Sequence, residues 1–358
     1  MWKELDISLE KATGSKDKPS LENLGFGKYF TDHMFTMEWN REAGWHKAAI
    51  RPYQPFTMDP ASTVLHYGQA IFEGLKAYKG ADGQIYLFRP TDNFERMNRG
   101  AARMSMPRFP IDQVMQALKA LVYLDRDWIP DSEGASLYLR PTMIGVDPFL
   151  GLKPSETYLF YIIMSPVGAY YAEGFSPTKI YVCRDYVRAV KGGVGDVKTA
   201  GNYAASMLAS EKAKEGGYTQ VLWLDACERT YIEEVGTSNI FFYIGDTLVT
   251  PPLSGSILGG ITRDSVIRLV RSWDIAVEER QIAIDEVLKA SQNGSLKESF
   301  ATGTAAVISP VGELFFNEAS YSINNNETGT LSKRLFEDLQ AIQSGRKQDP
   351  FNWCVRVG

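Results

Sequence analysis

Apolar residues recur along this chain at two spacings, and the change from one to the other predicts its elements. Across Ile111–Leu124, the residues Val114, Leu118, Leu121 and Val122 fall on one face of a 3.6-residue repeat, which predicts an amphipathic helix. A second helix is expected over roughly 91–104. Short apolar runs at Ile85–Phe88, 135–144 and 158–165 read as strands. Pro166, Gly168, Gly174 and Pro177 then break the pattern with turn residues, which predicts a linker at 166–177 between a first domain at 1–165 and a second at 178–358. The second half opens with a strand at 179–184. It continues through a helix at about 203–214, closed by Gly216 and Gly217, and a strand at Gln220–Leu224. Runs at 240–244 and Thr247–Thr250 are joined by Gly245 and Asp246, a hairpin signal. Residues 292–295 and 324–326 read as loops. Hairpins coexisting with helices argue for an α+β fold over a doubly wound parallel sheet.

Composition narrows the function more than the fold. A chain of 358 residues, 44% hydrophobic, can bury a large core and has the length of two ordinary domains. Its formal net charge of -5 supplies no general attraction to nucleic acid or to an anionic membrane, so neither is expected as a partner. Cys183, Cys227 and Cys354 are odd in number and far apart, which gives neither a disulfide framework nor metal-ligand spacing, and no metal is expected. The longest apolar run, around 159–164, is too short to span a bilayer, and the N-terminus lacks an apolar signal core. Both observations point to the cytoplasm.

Candidate chemistry is concentrated in three places. The stretch Lys191-Gly-Gly-Val-Gly-Asp-Val-Lys198-Thr-Ala-Gly-Asn-Tyr203 packs glycines, two lysines and a tyrosine ahead of a helical pattern. It reads either as a flexible surface loop or as a place where something is approached closely; neither the Walker nor the dinucleotide glycine spacing is present. Downstream, Glu233-Glu-Val-Gly-Thr-Ser-Asn239 sets carboxylates beside an apolar strand, where a buried carboxylate calls for a cationic partner. The third stretch, Ser256-Ile-Leu-Gly-Gly-Ile-Thr-Arg263, opens an amphipathic helix carrying Val266, Ile267, Val270 and Trp273. Its start is either an ordinary helix N-terminus or an anion site.

These stretches, with Leu65-His-Tyr-Gly-Gln-Ala-Ile-Phe-Glu-Gly-Leu-Lys-Ala-Tyr, Leu248-Val-Thr-Pro-Pro and Gly303-Thr-Ala, occur in an order that resembles the branched-chain aminotransferases of the fold-type IV pyridoxal-phosphate class. The likeness runs from about Gly25 into the C-terminal region. It implies a two-domain α+β enzyme similar in fold to D-amino-acid aminotransferase, with a smaller N-terminal and a larger C-terminal domain, working as a homodimer. By position in the family motifs, Lys198 would carry pyridoxal phosphate and move protons during catalysis, since a primary amine can condense with an aldehyde and be exchanged for a substrate amine. Lys191 does not precede the Thr-Ala-Gly-Asn-Tyr that marks the cofactor lysine.

The resemblance further implies that Glu234 pairs with the pyridine nitrogen while Glu233, its neighbour in an extended segment, faces elsewhere. Tyr203 would bond the cofactor's phenolic oxygen. Arg96, Leu258, Ile261, Thr262 and Thr304 would complete the cofactor site, with Arg96 anchoring phosphate. Tyr67, Phe72, Tyr138, Arg140, Tyr170, Thr237, Thr304 and Ala305 would line the substrate pocket, with Leu152 contributed by the other subunit. The implied substrates are L-leucine, L-isoleucine and L-valine against 2-oxoglutarate. A D-amino-acid aminotransferase or an aminodeoxychorismate lyase would share Lys198 and Glu234 and differ in pocket walls; the Phe72-Glu-Gly and Tyr138-Leu-Arg140 stretches favour the branched-chain group. A non-catalytic binding protein of the same fold is the remaining alternative, and Lys198 speaks against it. Ala306 and Ser309 stand where animal relatives carry a Cys-x-x-Cys pair.

Overall fold

The computed structural model describes residues 5–20, 24–132, 134–168 and 175–358. The chain packs as two units: 1–170, 197–200 and 341–358 form the first, and 171–196 with 201–340 the second. This differs from a division into 1–165 and 178–358. Strand Cys354–Val357 pairs antiparallel with Ile85–Phe88, so the C-terminus returns to the first sheet.

In the first unit nine strands form one sheet. Its centre is the long antiparallel pair Ser136–Gly145 and Thr157–Val167, in which Tyr138 faces Ser165, Arg140 faces Ile163 and Thr142 faces Tyr161. Alternation sets the two faces apart. Leu137, Leu139, Met143, Phe160, Ile162 and Met164 point to one side and are almost wholly buried. Helices Pro90–Arg103 and Ile111–Leu124 supply Phe94, Val114, Leu118, Leu121 and Val122 to the core. Phe109 sits edge-on to Phe94 at 5.6 Å and tilted against Phe160 at 5.0 Å. Each such side chain contributes roughly 1.5–3 kcal/mol on burial. The opposite face carries Tyr138, Arg140, Thr142, Tyr161 and Ser165, an unusual polar inventory for the middle of a sheet.

The second unit holds another nine-stranded sheet, in which Thr178–Cys183 lies parallel to both Gln220–Leu224 and Val307–Phe316, while Asn239–Ile244 joins Thr247–Thr250 in a hairpin. Parallel and antiparallel pairs together make the fold α+β. Helix Ile261–Arg271 buries Val266, Ile267, Leu269 and Val270. Helix Thr330–Gln343 has its start fixed from afar: the Glu298 carboxylate accepts from Leu331 N, Ser332 N and Ser332 Oγ, each at 2.8 Å. The expected helix at 203–214 is two helices, Ala200–Ala204 and Met207–Glu215, interrupted where Ser206 Oγ donates to the Tyr203 carbonyl at 2.7 Å. Such side-chain bonding to the backbone competes with helical pairing.

Candidate active site

In the first unit the site is built on strand Ala70–Phe72. Phe72 N donates to the Lys198 carbonyl at 3.0 Å, and Thr199 Oγ1 donates to the Ala70 carbonyl at 2.8 Å. These bonds fix the chain at the carbonyl of Lys198 and at the residue that follows it. Its Nζ stands 5.0 Å from the centre of the Phe72 ring, and the Arg140 guanidinium stands 4.8 Å from the centre of the same ring. Burial lowers the Lys198 pKa; the Arg96 and Arg140 charges act in the same direction, and Glu73 and Tyr138 oppose them. An amine held below its usual range is more readily neutral and therefore more readily a nucleophile and a base.

Arg96, on helix Pro90–Arg103, is in a two-pronged ion pair. Its Nε and Nη2 donate to the two carboxylate oxygens of Glu73 at 2.7 and 2.8 Å. The Glu73 side chain is 0% exposed and that of Arg96 9%. Tyr138 Oη accepts from Arg140 Nη2 at 3.1 Å. Gly74 makes this arrangement possible, since a Cβ there would lie 1.9 Å from Tyr138 Oη.

In the second unit the adjacent carboxylates of strand Ile232–Val235 diverge as an extended backbone requires. Glu234 meets Arg188 Nε at 2.5 Å and accepts from Asn239 Nδ2 at 3.0 Å. Glu233 instead accepts from the Ser256 hydroxyl, and burial raises its pKa. Arg188 also donates to the carbonyls of Gly195 and Ser256, and Asn239 Nδ2 donates to the Leu258 carbonyl at 2.9 Å. The loops around Glu234 are thereby tied to one another. They approach so closely that a Cβ on Gly195 would lie 2.3 Å from the Ser256 carbonyl, and one on Gly260 would lie 2.0 Å from Asn239 Oδ1.

Gly260 opens helix Ile261–Arg271 with no side-chain cap. A helix start of this kind favours an anion through its backbone N–H groups and dipole. Leu258 and Thr262 are buried and Ile261 half-buried beside it. Thr304 and Ala305 form the half-buried turn between strands Leu296–Gly303 and Val307–Phe316; Val307 closes the turn at φ 63°, a costly conformation for a β-branched residue.

Of the other expected residues, Tyr203 is half-buried on Ala200–Ala204, and Thr237 is exposed in the turn before Asn239–Ile244. Tyr67 is 43% exposed and donates to the Leu150 carbonyl. Tyr170 lies outside the described residues. Lys191 is exposed. Glu73, Arg188 and Asn239 did not stand out in the sequence as site residues. Glu73 falls within the Phe-Glu-Gly stretch, which was its one signal. Among the described residues no cluster of His, Cys, Asp or Glu is placed to hold a metal ion, and no helix is long and apolar enough to cross a membrane.

The donor set suits a phosphorylated aldehyde cofactor with a basic ring nitrogen. The first unit supplies a half-buried amine and the second a buried carboxylate and an uncapped helix N-terminus, groups of the kinds that such a molecule needs at its aldehyde, ring nitrogen and phosphate. Residues 70–314 match the family model described as amino-transferase class IV. Two proteins of Bacillus subtilis (strain 168) are similar over nearly the whole chain. Branched-chain-amino-acid transaminase 1 is 54% identical over 98% of this chain and 99% of its own, and branched-chain-amino-acid aminotransferase 2 is 53% identical over 98% and 97%. Among solved structures, the holo, PLP form of the branched-chain amino acid aminotransferase from Thermobaculum terrenum superposes with a TM-score of 0.75 at 26% identity, covering 91% of this chain and 98% of that one. The order of motifs, the two-sheet architecture and these relatives agree, and the chain belongs to the class IV aminotransferases.

Proposed function

We propose that this protein transfers the amino group of L-leucine, L-isoleucine or L-valine to 2-oxoglutarate, giving the branched-chain 2-oxo acid and L-glutamate in two half-reactions that share one site. The observation that carries the reading is Lys198: a half-buried amine with a lowered pKa, its Nζ 5.0 Å from the centre of the Phe72 ring, with hydrogen bonds fixing its carbonyl and the following Thr199. Pyridoxal phosphate, when bound, supplies the aldehyde that takes up the amino group and the ring that withdraws electrons from the substrate's alpha carbon.

The protein's own groups do the rest. Lys198 Nζ would hold the cofactor through its aldehyde and, once free, would take the substrate's alpha proton and return it. Glu234, held by Arg188 and Asn239, is a fixed carboxylate that would pair with the pyridine nitrogen and favour its protonated form. Tyr203 would donate to the phenolic oxygen. In the second unit the helix start at Gly260, with Ile261, Thr262, Leu258 and Thr304, would hold the phosphate, and Arg96 is the first unit's cation for it. In the first unit Phe72, Tyr138 and Tyr67 would offer walls to an aliphatic side chain and Arg140 would answer a second carboxylate; in the second, Thr237 would add to the walls and the Thr304-Ala305 turn would receive the alpha carboxylate. A second copy of the chain covers the exposed apolar residues Leu65, Phe149, Leu150 and Leu152, making a homodimer in the cytoplasm.

The test is the visible absorbance of purified protein before and after L-leucine, with D-alanine in parallel. Bleaching by L-leucine alone is expected. Bleaching by D-alanine alone would assign the protein to the D-amino-acid group, and a protein that binds no yellow cofactor would overturn the reading.

A further inference from the structure

Strands His33–Asn40 and Gly44–Pro52 pair near one edge of the first unit's sheet, and their register shifts between Thr36 and Glu38. Lys47, at φ 50°, takes up the extra residue as a bulge. Thr36 faces Ala49 and Glu38 faces His46, so His46, Ala49 and Arg51 share one face although His46 and Arg51 are five positions apart. Tyr161, opposite Thr36, is on that face too, and Phe56 packs on its ring with centroids 5.1 Å apart. Segment 54–59 thereby crosses over the sheet, and between the two is a cavity of about 570 Å³. Small-ligand sites occupy roughly 300–1,000 Å³. None of the residues proposed above for transamination lines this one.

Two polar groups in the cavity serve no purpose in the fold. Ser62, 1% exposed, precedes helix Thr63–Tyr67 without capping it, and its hydroxyl is buried and bonded to no described residue. Arg51 is half-buried; its Nε is likewise buried and unbonded, and its guanidinium has no ion pair with a described residue. A buried donor without an acceptor is destabilising, more so when it carries charge. The neighbouring polar groups are engaged elsewhere. Glu38 accepts from Lys47 Nζ at 2.8 Å, His46 Nδ1 donates to the Gly44 carbonyl at 2.9 Å, and Asp59 Oδ1 accepts from Ala61 N at 2.8 Å.

A guanidinium fork and a hydroxyl are the donors that a carboxylate takes. Trp39, Phe56, Met58 and Leu159 line the same cavity and offer apolar and aromatic contact to the rest of a ligand. Glu38 and Asp59 line it as well, and their negative charges disfavour an occupant with a second acidic group. We propose that this cavity is a second binding site, in which Arg51 and Ser62 receive a singly charged carboxylic acid with an apolar or aromatic body. The occupant gives both groups the acceptor that the fold withholds, and it bridges segment 54–59 to the sheet.

The probe is phenylacetate, measured by equilibrium dialysis against the cofactor-loaded protein, with neutral phenylacetamide in parallel. The wild type is expected to hold one more phenylacetate per chain than Arg51→Met, in which this site is weakened at least about tenfold, the size of one charge-assisted contact. Ser62→Ala should weaken it by a smaller factor, about threefold. Phenylacetamide should fail to fill it, since it brings no charge to the guanidinium. The L-leucine concentration that half-bleaches the bound cofactor should be the same in wild type and Arg51→Met, which separates this site from the substrate pocket. Equal phenylacetate stoichiometry in the two proteins overturns the proposal, as does phenylacetamide binding as tightly as phenylacetate, or a wild type that binds neither. Loss of leucine bleaching along with phenylacetate binding also overturns it, by giving Arg51 a general structural role. If Arg51→Met fails to fold, Arg51→Gln gives the same comparison, and an Arg51→Gln protein that binds phenylacetate as the wild type does would sink the assignment.

Discussion

Each unit buries an arginine–glutamate pair, and the two pairs are built differently. Arg96 and Glu73 face each other as two forks, and the Glu73 carboxylate also accepts from Gly74 N at 3.1 Å. Arg188 spreads its bonds over Glu234 and two backbone carbonyls, and Glu234 also has Asn239. The first pair is a rigid bracket between a helix and the strand region that holds Lys198. The second is the hub of several loops, where glycines let backbones come close. The comparison shows that a buried charge can be satisfied by one strong partner or by a distributed set, and the two solutions should fail to different degrees when a partner is removed.

The largest effect falls on the amine itself. Lys198→Ala is expected to lower turnover by about 10⁴-fold or more, since nucleophile and proton carrier go together. A steady-state assay showing near-normal rates would remove Lys198 from the mechanism. Next comes the bracket. Glu73→Ala leaves Arg96 buried without its fork partner and should cost about 3–5 kcal/mol in urea unfolding. Glu234→Ala should cost less, roughly 1–3 kcal/mol, because Arg188 keeps its two carbonyl acceptors. Equal losses in the two variants would break the contrast between bracket and hub.

A pH series sharpens it further on the first unit's side. Lys76, with a pKa of about 8 in the folded protein, binds fewer protons there than in the unfolded chain, where lysine titrates near 10.4. Stability should therefore rise with pH across that window, and Lys76→Met should flatten the rise in denaturation midpoints measured at its two ends. The smallest effect belongs to the exposed pair Lys297 and Asp246, 2.8 Å apart, where Lys297→Ala should leave Tm unmoved.

What the sequence disclosed follows the range of the forces involved. Ile111–Leu124 is legible because one stripe of apolar residues decides it, and the hairpin at Gly245 and Asp246 because its turn is encoded locally. Thr330–Gln343 has an equally clear stripe in Leu331, Leu335 and Leu339, yet its start is signalled by Glu298, more than thirty residues away, and the helix was not anticipated. Strands His33–Asn40 and Gly44–Pro52 mix polar and apolar residues and take their register from neighbours distant in the chain. Within the proposed site, Lys198 and Glu234 are marked by motif. Arg188 and Asn239 act through partners that only folding brings to them, and neither residue type carries a local signal for that.

The antiparallel seat of Lys198 also has a consequence for how the protein comes into being. Thr199 is bonded to Ala70 across 129 residues of chain. Contacts of such separation carry a large loop-closure cost and tend to form late. On a ribosome, strand Ala70–Phe72 is made long before the segment that must dock against it. A nascent or partly folded chain therefore has its lysine but not the surroundings that lower the amine's pKa, so chemical competence is acquired near the end of folding, as a property of the finished chain.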